Sequence, residues 1–362
     1  MIKTLDRYII VKFLSALFFS LLICSIISLA IDFSEKVKYF IERDCTVSEI
    51  LLDYYPGFLF NMSGMLMPLY TLIAVVFFTS RMAFNAEILS ILNAGVSFWR
   101  LLRPYLLGGT VVMGMHLLLN HYLVPEGNKR RLTFERKYIH LKSDKGRTAN
   151  IHMFLGPDTK VYIQGFNKEN QVASGMRLEK LSGTRIVSVL DAQTAKWRGD
   201  SIGRWQLGAY TIREFNGMQE TYQRYTKPID TLINLSPQDF IWYENQIEEM
   251  NTPELNKALE RDRSRGLLTS RQYTIEKHRR TADAFTNIIL TIIGLAVAGR
   301  KVRGGMGLHL ALAVSIGGIF VFLSKFAITF AAAGDLPVAL GLWLPNILFA
   351  GVAGWLVSRA QK

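Results

Sequence analysis

The chain has 362 residues, half of them hydrophobic, and a formal net charge of +13. Such a composition points to a membrane class and away from an ordinary soluble enzyme or a disordered chain. The charge does not indicate nucleic acid: it sits in short clusters at the ends of apolar runs, and no DNA- or RNA-binding motif accompanies it.

A membrane span needs ~20 predominantly apolar residues. The first candidate, Phe13–Ile31, has no small-residue cleavage site and is expected to be a retained span, not a removed signal peptide. Cys24 within it and Cys45 beyond it have no metal-type spacing, and no disulfide between them is expected. Further spans are expected at Pro56–Thr79, Tyr105–Val124, Ala284–Gly299, Met306–Ala333 and Val338–Val357, the fourth extending back toward Thr281 with Asp283 near the interface. Six spans place both termini on one side. With that side inside, the inner segments carry Lys3, Arg7, Lys12, Arg81, Arg100, Arg103, Arg300, Lys301, Arg303, Arg359 and Lys362. The short outer loops carry only Lys36, Lys38 and Arg43, among several acids. Eleven basic residues against three set the orientation with both termini cytoplasmic.

Between the second and third spans lies "RMAFNAEILSILNAGVSFWRLLRP", Arg81 to Pro104. Ile88, Ile91, Leu92 and Gly95 fall on one helical face, with Phe84 a turn earlier, while Glu87 and Asn93 lie off that stripe. A helix resting on lipid headgroups would favour basic residues along its polar face. Here the interior holds an acid and the arginines stand at the margins, which suits a docking helix for a cytoplasmic partner. A carboxylate near the helix N-terminus agrees with the macrodipole and is free to pair with a partner cation.

From Pro125 to about Arg280 the pattern changes to short alternating runs such as "KVYIQGF" and "RIVSVL". Turn signals at Phe166-Asn167, Ser182-Gly183, Arg198-Gly199 and Asn216-Gly217 separate them, as in a β-sandwich or jelly roll. "SPQDFIWYENQIEEM" and "TPELNKALERDRSRGLLTSRQYTIEKHRR" then read as a helical return, with Thr252 as N-cap before Pro253. The expected fold is an α+β membrane protein with six transmembrane helices, three plus three. Residues 1–124 hold the first three helices and a cytoplasmic helix at about 82–100. Residues 125–280 form an inserted external β-jelly-roll, and residues 281–362 the last three helices.

Catalytic motifs are missing: no lysine follows a glycine, so there is no G-K-[ST] phosphate loop, and neither H-E-x-x-H nor G-x-S-x-G occurs. His116 and His121, on a span without a nearby acid, are expected to make interhelical hydrogen bonds rather than bind metal. Lys325, late in the fifth span, either snorkels to the outer interface or faces an anionic group. Together with Lys36, Lys38, Lys129, Arg130, Arg131 and Arg136 it is placed for a basic ring at the outer leaflet.

Six segments, in order, resemble the permease family of the lipopolysaccharide exporter, the LptF/LptG type: "LDRYIIVKFL", "EILSILNAGVSFWRLLRP", "LVPEGN", "AQTAKW" with "RWQL", "EKHRR" and "LGLWLPNILF". The second resembles the family's E-x-x-x-L-x-x-x-G-x-S-x-x-R-x-x-x-P helix, with Leu92 one place from the leucine. The resemblance implies a half-transporter in the bacterial inner membrane with no cofactor of its own. It would work with a dimeric cytoplasmic ATPase of LptB type that binds ATP and magnesium, a sibling permease and a single-span LptC-type protein. Its substrate would be lipopolysaccharide, extracted from the membrane and passed through the β domains to a periplasmic bridge. The same resemblance assigns Glu87, Ile88, Ile91, Leu92, Gly95 and Arg100 to ATPase coupling, and Lys36, Lys38, Arg131, Arg136 and Lys325 to lipid phosphates. Asp32 departs from the family pattern, where some members have a basic residue, and this weakens phosphate contact at that turn. The "LDRY" opening leans toward the LptG-like subunit. Three other readings are weaker. A periplasmic scaffold has no need of a docking helix, a lipoprotein-release permease has four spans, and a proton-coupled carrier needs a buried carboxylate chain.

Overall fold

A computed structural model describes residues 3–139, 148–199, 203–240, 246–264, 270–299 and 305–360. Arg300, Lys301, Arg303 and Lys362, used above to orient the chain, lie outside the described residues, as does the middle of the "SPQDFIWYENQIEEM" run. In chain order the main helices are α1 (Thr4–Glu42), α2 (Val47–Phe84), a short α3 (Glu87–Asn93), α4 (Phe98–Tyr138), α5 (Thr252–Ser264), α6 (Ser270–Ala298), α7 (Met306–Ala333) and α8 (Val338–Ser358). All but α3 and α5 are long and apolar enough to cross a membrane, and each contains one expected span, the fourth ending at Ala298.

Several helices overrun their apolar cores. The 39 residues of α1 rise ~58 Å at 1.5 Å per residue, about twice a ~30 Å hydrocarbon core. α6 begins eleven residues before Thr281 because its polar first turns find packing partners: Ile275 lies against Ala331 and Leu342. Wide π-turns at Ile50–Tyr54 and Leu119–Leu123 interrupt α2 and α4.

The chain divides into two compact units, the first comprising Met1–Ile139, Ile247–Leu255 and Arg271–Lys362. Within it α2 is the central helix, packed against α1, α4 and α7. Gly57 of α2 and Gly127 of α4, the glycine of "LVPEGN", let the two backbones meet, since a Cβ on Gly57 would stand 2.2 Å from the Gly127 carbonyl oxygen. A polar layer crosses the interior. His116 Nε2 donates to the Gly64 carbonyl at 2.8 Å, and the Asn287 amide donates to His116 Nδ1 at 2.8 Å. Asn287 also accepts from Thr71 Oγ1 at 2.8 Å. These are the interhelical hydrogen bonds expected of His116, and they satisfy groups that hydrocarbon would leave bare. α1 is held mainly near its ends: Ile9, Phe13 and Leu17 are buried toward one, Asp32 and Phe40 toward the other, and much of the stretch from Phe18 to Ile31 is exposed.

The second unit, His140–Gln246 and Asn256–Ser270, holds the strands β1 (Ala149–Gly156), β2 (Thr159–Asn167), β3 (Val172–Ser182), β4 (Arg185–Trp197), β5 (Arg204–Leu207), β6 (Tyr210–Asn216), β7 (Gln219–Tyr225) and β8 (Ile229–Leu232). All pairs are antiparallel, in the order β1-β2-β3-β4-β5-β8. The thirteen-residue β4 forks the sheet: one edge pairs with β3, while the other pairs with β6 through Ser188–Ala192 and with β5 through Ala195–Trp197. "AQTAKW" and "RWQL" are therefore true partners, with Trp197 opposite Trp205. Trp205 is fully buried and its Nε1 donates to the Leu235 carbonyl at 2.8 Å, beside Ile163, Ala173 and Met176. Gly183, Gly199 and Gly217 take positive φ at the expected turns.

Candidate functional site

The segment between α2 and α4 is not one long helix. The chain turns through Ala86 at φ 59°, forms the seven residues of α3, turns again through Gly95 at φ 82°, and starts α4 at Phe98 under a Ser97 cap. Gly95 therefore breaks the helix, where the spacing had put it on the docking face; a side chain there would meet open space but a strained backbone. Ile88 also departs from expectation. It is buried against the chain's own core, with Ile91 and Leu92 packed partly behind it. The apolar side chains left outward are Phe84, Leu89 and Trp99.

Glu87 is not free. Tyr8 Oη donates to one of its carboxylate oxygens at 2.8 Å, and Lys12 Nζ lies 3.3 and 3.4 Å from the two. Partial burial alone would push this carboxyl up, but the Tyr8 and Lys12 hydrogen bonds outweigh it and hold Glu87 below its usual value. Arg100 is also committed within the chain. It grips buried Asp6 of α1 through two parallel bonds of 2.7 and 2.9 Å, and the Lys3 backbone N–H donates to Asp6 at 3.0 Å. Both flanks of the connection are thus tied to the first turns of α1. In the sequence, Lys12 serves for orientation and the Leu5–Leu14 segment for the resemblance, but neither use connects Asp6, Tyr8 or Lys12 with the α3 connection. The signal for such a pairing was the i,i+4 spacing of Tyr8 and Lys12, which puts them on one helix face.

The other end of α1 meets a second charged cluster. Buried Asp32 accepts from Tyr54 Oη at 2.9 Å and pairs with Lys36 at 2.7 Å. Lys36 also contacts the Tyr54 hydroxyl, lies 3.7 Å from Glu135 and stacks over the Tyr54 ring. Arg131 pairs with Glu135 at 3.3 Å and with Glu248 at 3.9 Å, and Arg136 pairs with Glu249. Burial pushes the Glu248 carboxyl up, against the pull of Arg279 and Arg131. The basic ring expected from the sequence is thus largely neutralised within the chain: Lys36, Arg131 and Arg136 have internal acid partners. Lys38 is exposed and, among the described residues, pairs only with Glu42, at 3.8 Å.

Lys325 is exposed on α7 and, among the described residues, has no ion-pair partner within 4 Å. It borders a cavity of about 60 Å³ between α2, α6 and α7, lined also by Leu69, Arg279, Asp283, Gly317 and Phe320. That is room for about two waters, not for a sugar or an acyl chain. Arg279 lies 3.9 Å from Asp283 and 2.8 Å from Glu276. No group of three or more His, Cys, Asp or Glu side chains placed to hold a metal occurs among the described residues.

Residues 7–359 match the family model of the lipopolysaccharide export system permease LptF/LptG. The chain belongs to this family. No curated protein matches it. As an LptF/LptG permease it is a multi-pass inner-membrane component of the lipopolysaccharide export system, with six spans and an inserted antiparallel β region. The family model describes LptF and LptG together and does not separate the LptG-like leaning from its sibling. Within the permease, the two α1 clusters and the Lys325 cavity bring charged side chains against the spanning helices.

Proposed function

We propose that this permease extracts lipopolysaccharide from the outer leaflet of the inner membrane and passes it through its β region toward a periplasmic bridge. It does so with a sibling permease, a dimeric LptB-type ATPase and an LptC-type single-span protein. ATP and magnesium belong to the ATPase. The match over nearly the whole chain carries this reading. The α3 connection supports a docking role: Phe84, Leu89 and Trp99 stand exposed around a carboxylate held ionised at neutral pH. Both termini and α3 are cytoplasmic, and the β region is periplasmic, on the distribution of lysine and arginine. Of the five cations assigned to lipid phosphates, Lys38 and Lys325 are the least committed to acids among the described residues, and Lys36, Arg131 and Arg136 act by holding the outer cluster together.

The test is co-purification in mild detergent with a reporter for topology. An LptB-type ATPase and a second permease should come down with the chain, and Glu87→Lys should lose the ATPase while inserting normally. A reporter fused after Lys168 should be periplasmic. Retained ATPase association in Glu87→Lys refutes the docking role, and a cytoplasmic reporter refutes the topology.

A further inference from the structure

Helix α1 joins the two charged clusters, and its construction suits that task. It runs from Thr4 to Glu42 without a glycine or a proline, the residues at which helices kink. Its exposed middle leaves it lightly held between its two anchored ends. At the α3 end it is bonded to both flanks of the connection: Tyr8 and Lys12 hold Glu87, and Asp6 holds Arg100. Phe13 seats in the space left by Gly108 of α4, where a Cβ would stand 2.5 Å from its ring. At the other end Asp32 and Lys36 join Tyr54 and Glu135.

The carboxylate of Glu87 offers about four acceptor directions. Tyr8 and Lys12 use those facing α1, and the side chain keeps 29% of its surface exposed. A partner cation can therefore bind Glu87 while Tyr8 and Lys12 still hold it. α3 lies between two left-handed residues, Ala86 and Gly95, with Ile88 buried in the core that includes Ile9 and Phe13, so its attachment to α1 runs through side chains and not through a continuous backbone.

We propose that Tyr8 and Lys12 are positioning residues of the export cycle: they bind the docking carboxylate to α1, so that displacement of α3 by its partner is carried along α1 to the Asp32–Lys36 cluster. This rests on the docking role of Glu87 proposed above. It assigns the two residues to transmission of the stroke, not to binding of the ATPase.

The experiment uses the complete permease pair and ATPase in liposomes containing lipopolysaccharide, with three readouts: ATPase co-purification, ATP hydrolysis, and lipopolysaccharide exported per ATP. Tyr8→Phe/Lys12→Met should keep the ATPase bound and hydrolysing. Export per ATP should fall roughly fivefold or more, as expected for losing charge-assisted hydrogen bonds. Lys12→Arg should restore most of the yield. Unchanged export per ATP in the double variant overturns the inference alone. Loss of ATPase co-purification as complete as in Glu87→Gln also overturns it, because the pair would then merely shape the dock. The exchange Lys12→Glu/Glu87→Lys should remain undocked. If the exchange restores both docking and export, Glu87 acts only within the chain, and the docking reading falls together with the inference.

Discussion

Alanine at Gly57 tests the closest approach in the membrane unit. An ideal Cβ there would lie 2.2 Å from the Gly127 carbonyl oxygen and 2.8 Å from Arg131 Cβ, a shortfall of about 1.2 Å from ordinary contact at 3.4 Å. The obstructing oxygen is backbone and cannot rotate away, so α2 and α4 must part. Overpacking of this kind costs ~1–3 kcal/mol, with this case at the upper end. Replacing glycine by alanine inside a helix returns ~0.5–1 kcal/mol, which leaves a net loss of ~2 kcal/mol. Gly114, on the same α4, has nothing within 4 Å of its ideal Cβ. There only the propensity gain remains, and Gly114→Ala should be neutral or stabilising by up to ~1 kcal/mol. The two substitutions therefore have opposite signs despite identical chemistry. Thermal unfolding of the purified permease in detergent, followed by tryptophan fluorescence, should show Gly57→Ala lowered by roughly 4 °C or more and Gly114→Ala unchanged or raised. Equal melting of the two variants would refute the backbone contact. Since Arg131 sits beside the clash, Gly57→Ala should also loosen the cluster of Arg131, Glu135 and Glu248.

Asn287→Leu should destabilise the membrane unit by ~1–3 kcal/mol, because His116 Nδ1 and Thr71 Oγ1 both lose a partner in the interior; unchanged thermal unfolding would deny the polar layer. Glu87 is held below its ordinary value of 4.5. Its contribution is complete above that value and is lost only as pH falls through the lower folded value. A carbon-13 titration of the Glu87 carboxyl should give a midpoint under 4.5, and a midpoint at or above it would mean that Tyr8 and Lys12 do not hold it. Lys325→Ala should reduce lipopolysaccharide crosslinking at α7 without lowering stability. Lys36→Ala should instead lower stability, because it leaves Asp32 buried beside Tyr54 without its cation; the reverse pattern would exchange the two roles.

The spans were legible because a run of ~20 apolar residues matches the thickness of a bilayer core and exceeds what most soluble helices bury. The strands were legible because period-2 alternation was punctuated by Gly183, Gly199 and Gly217, each at positive φ. The α3 segment was only half legible. Helical spacing placed Ile88, Ile91, Leu92 and Gly95 on one face, but it could not show that this face turns inward. It also could not show that Gly95 ends the helix, since glycine fits either a face or a break. The charged residues were least legible. Lys36 and Lys325 look alike in a sequence, each a lysine beside an apolar run. Yet Lys36 is enclosed by Asp32, Tyr54 and Glu135, while Lys325 faces outward.

Composition and periodicity by themselves determined that this is a six-span membrane protein with an inserted β region, because hydrophobic length and alternation act locally along the chain. The order of the quoted motifs was enough to point to the LptF/LptG family. Only the tertiary structure decided which charges are free and which are matched. Lys12 reaches Glu87 across 75 residues and Arg100 reaches Asp6 across 94, and ion pairing depends on distance in space, which no local pattern encodes.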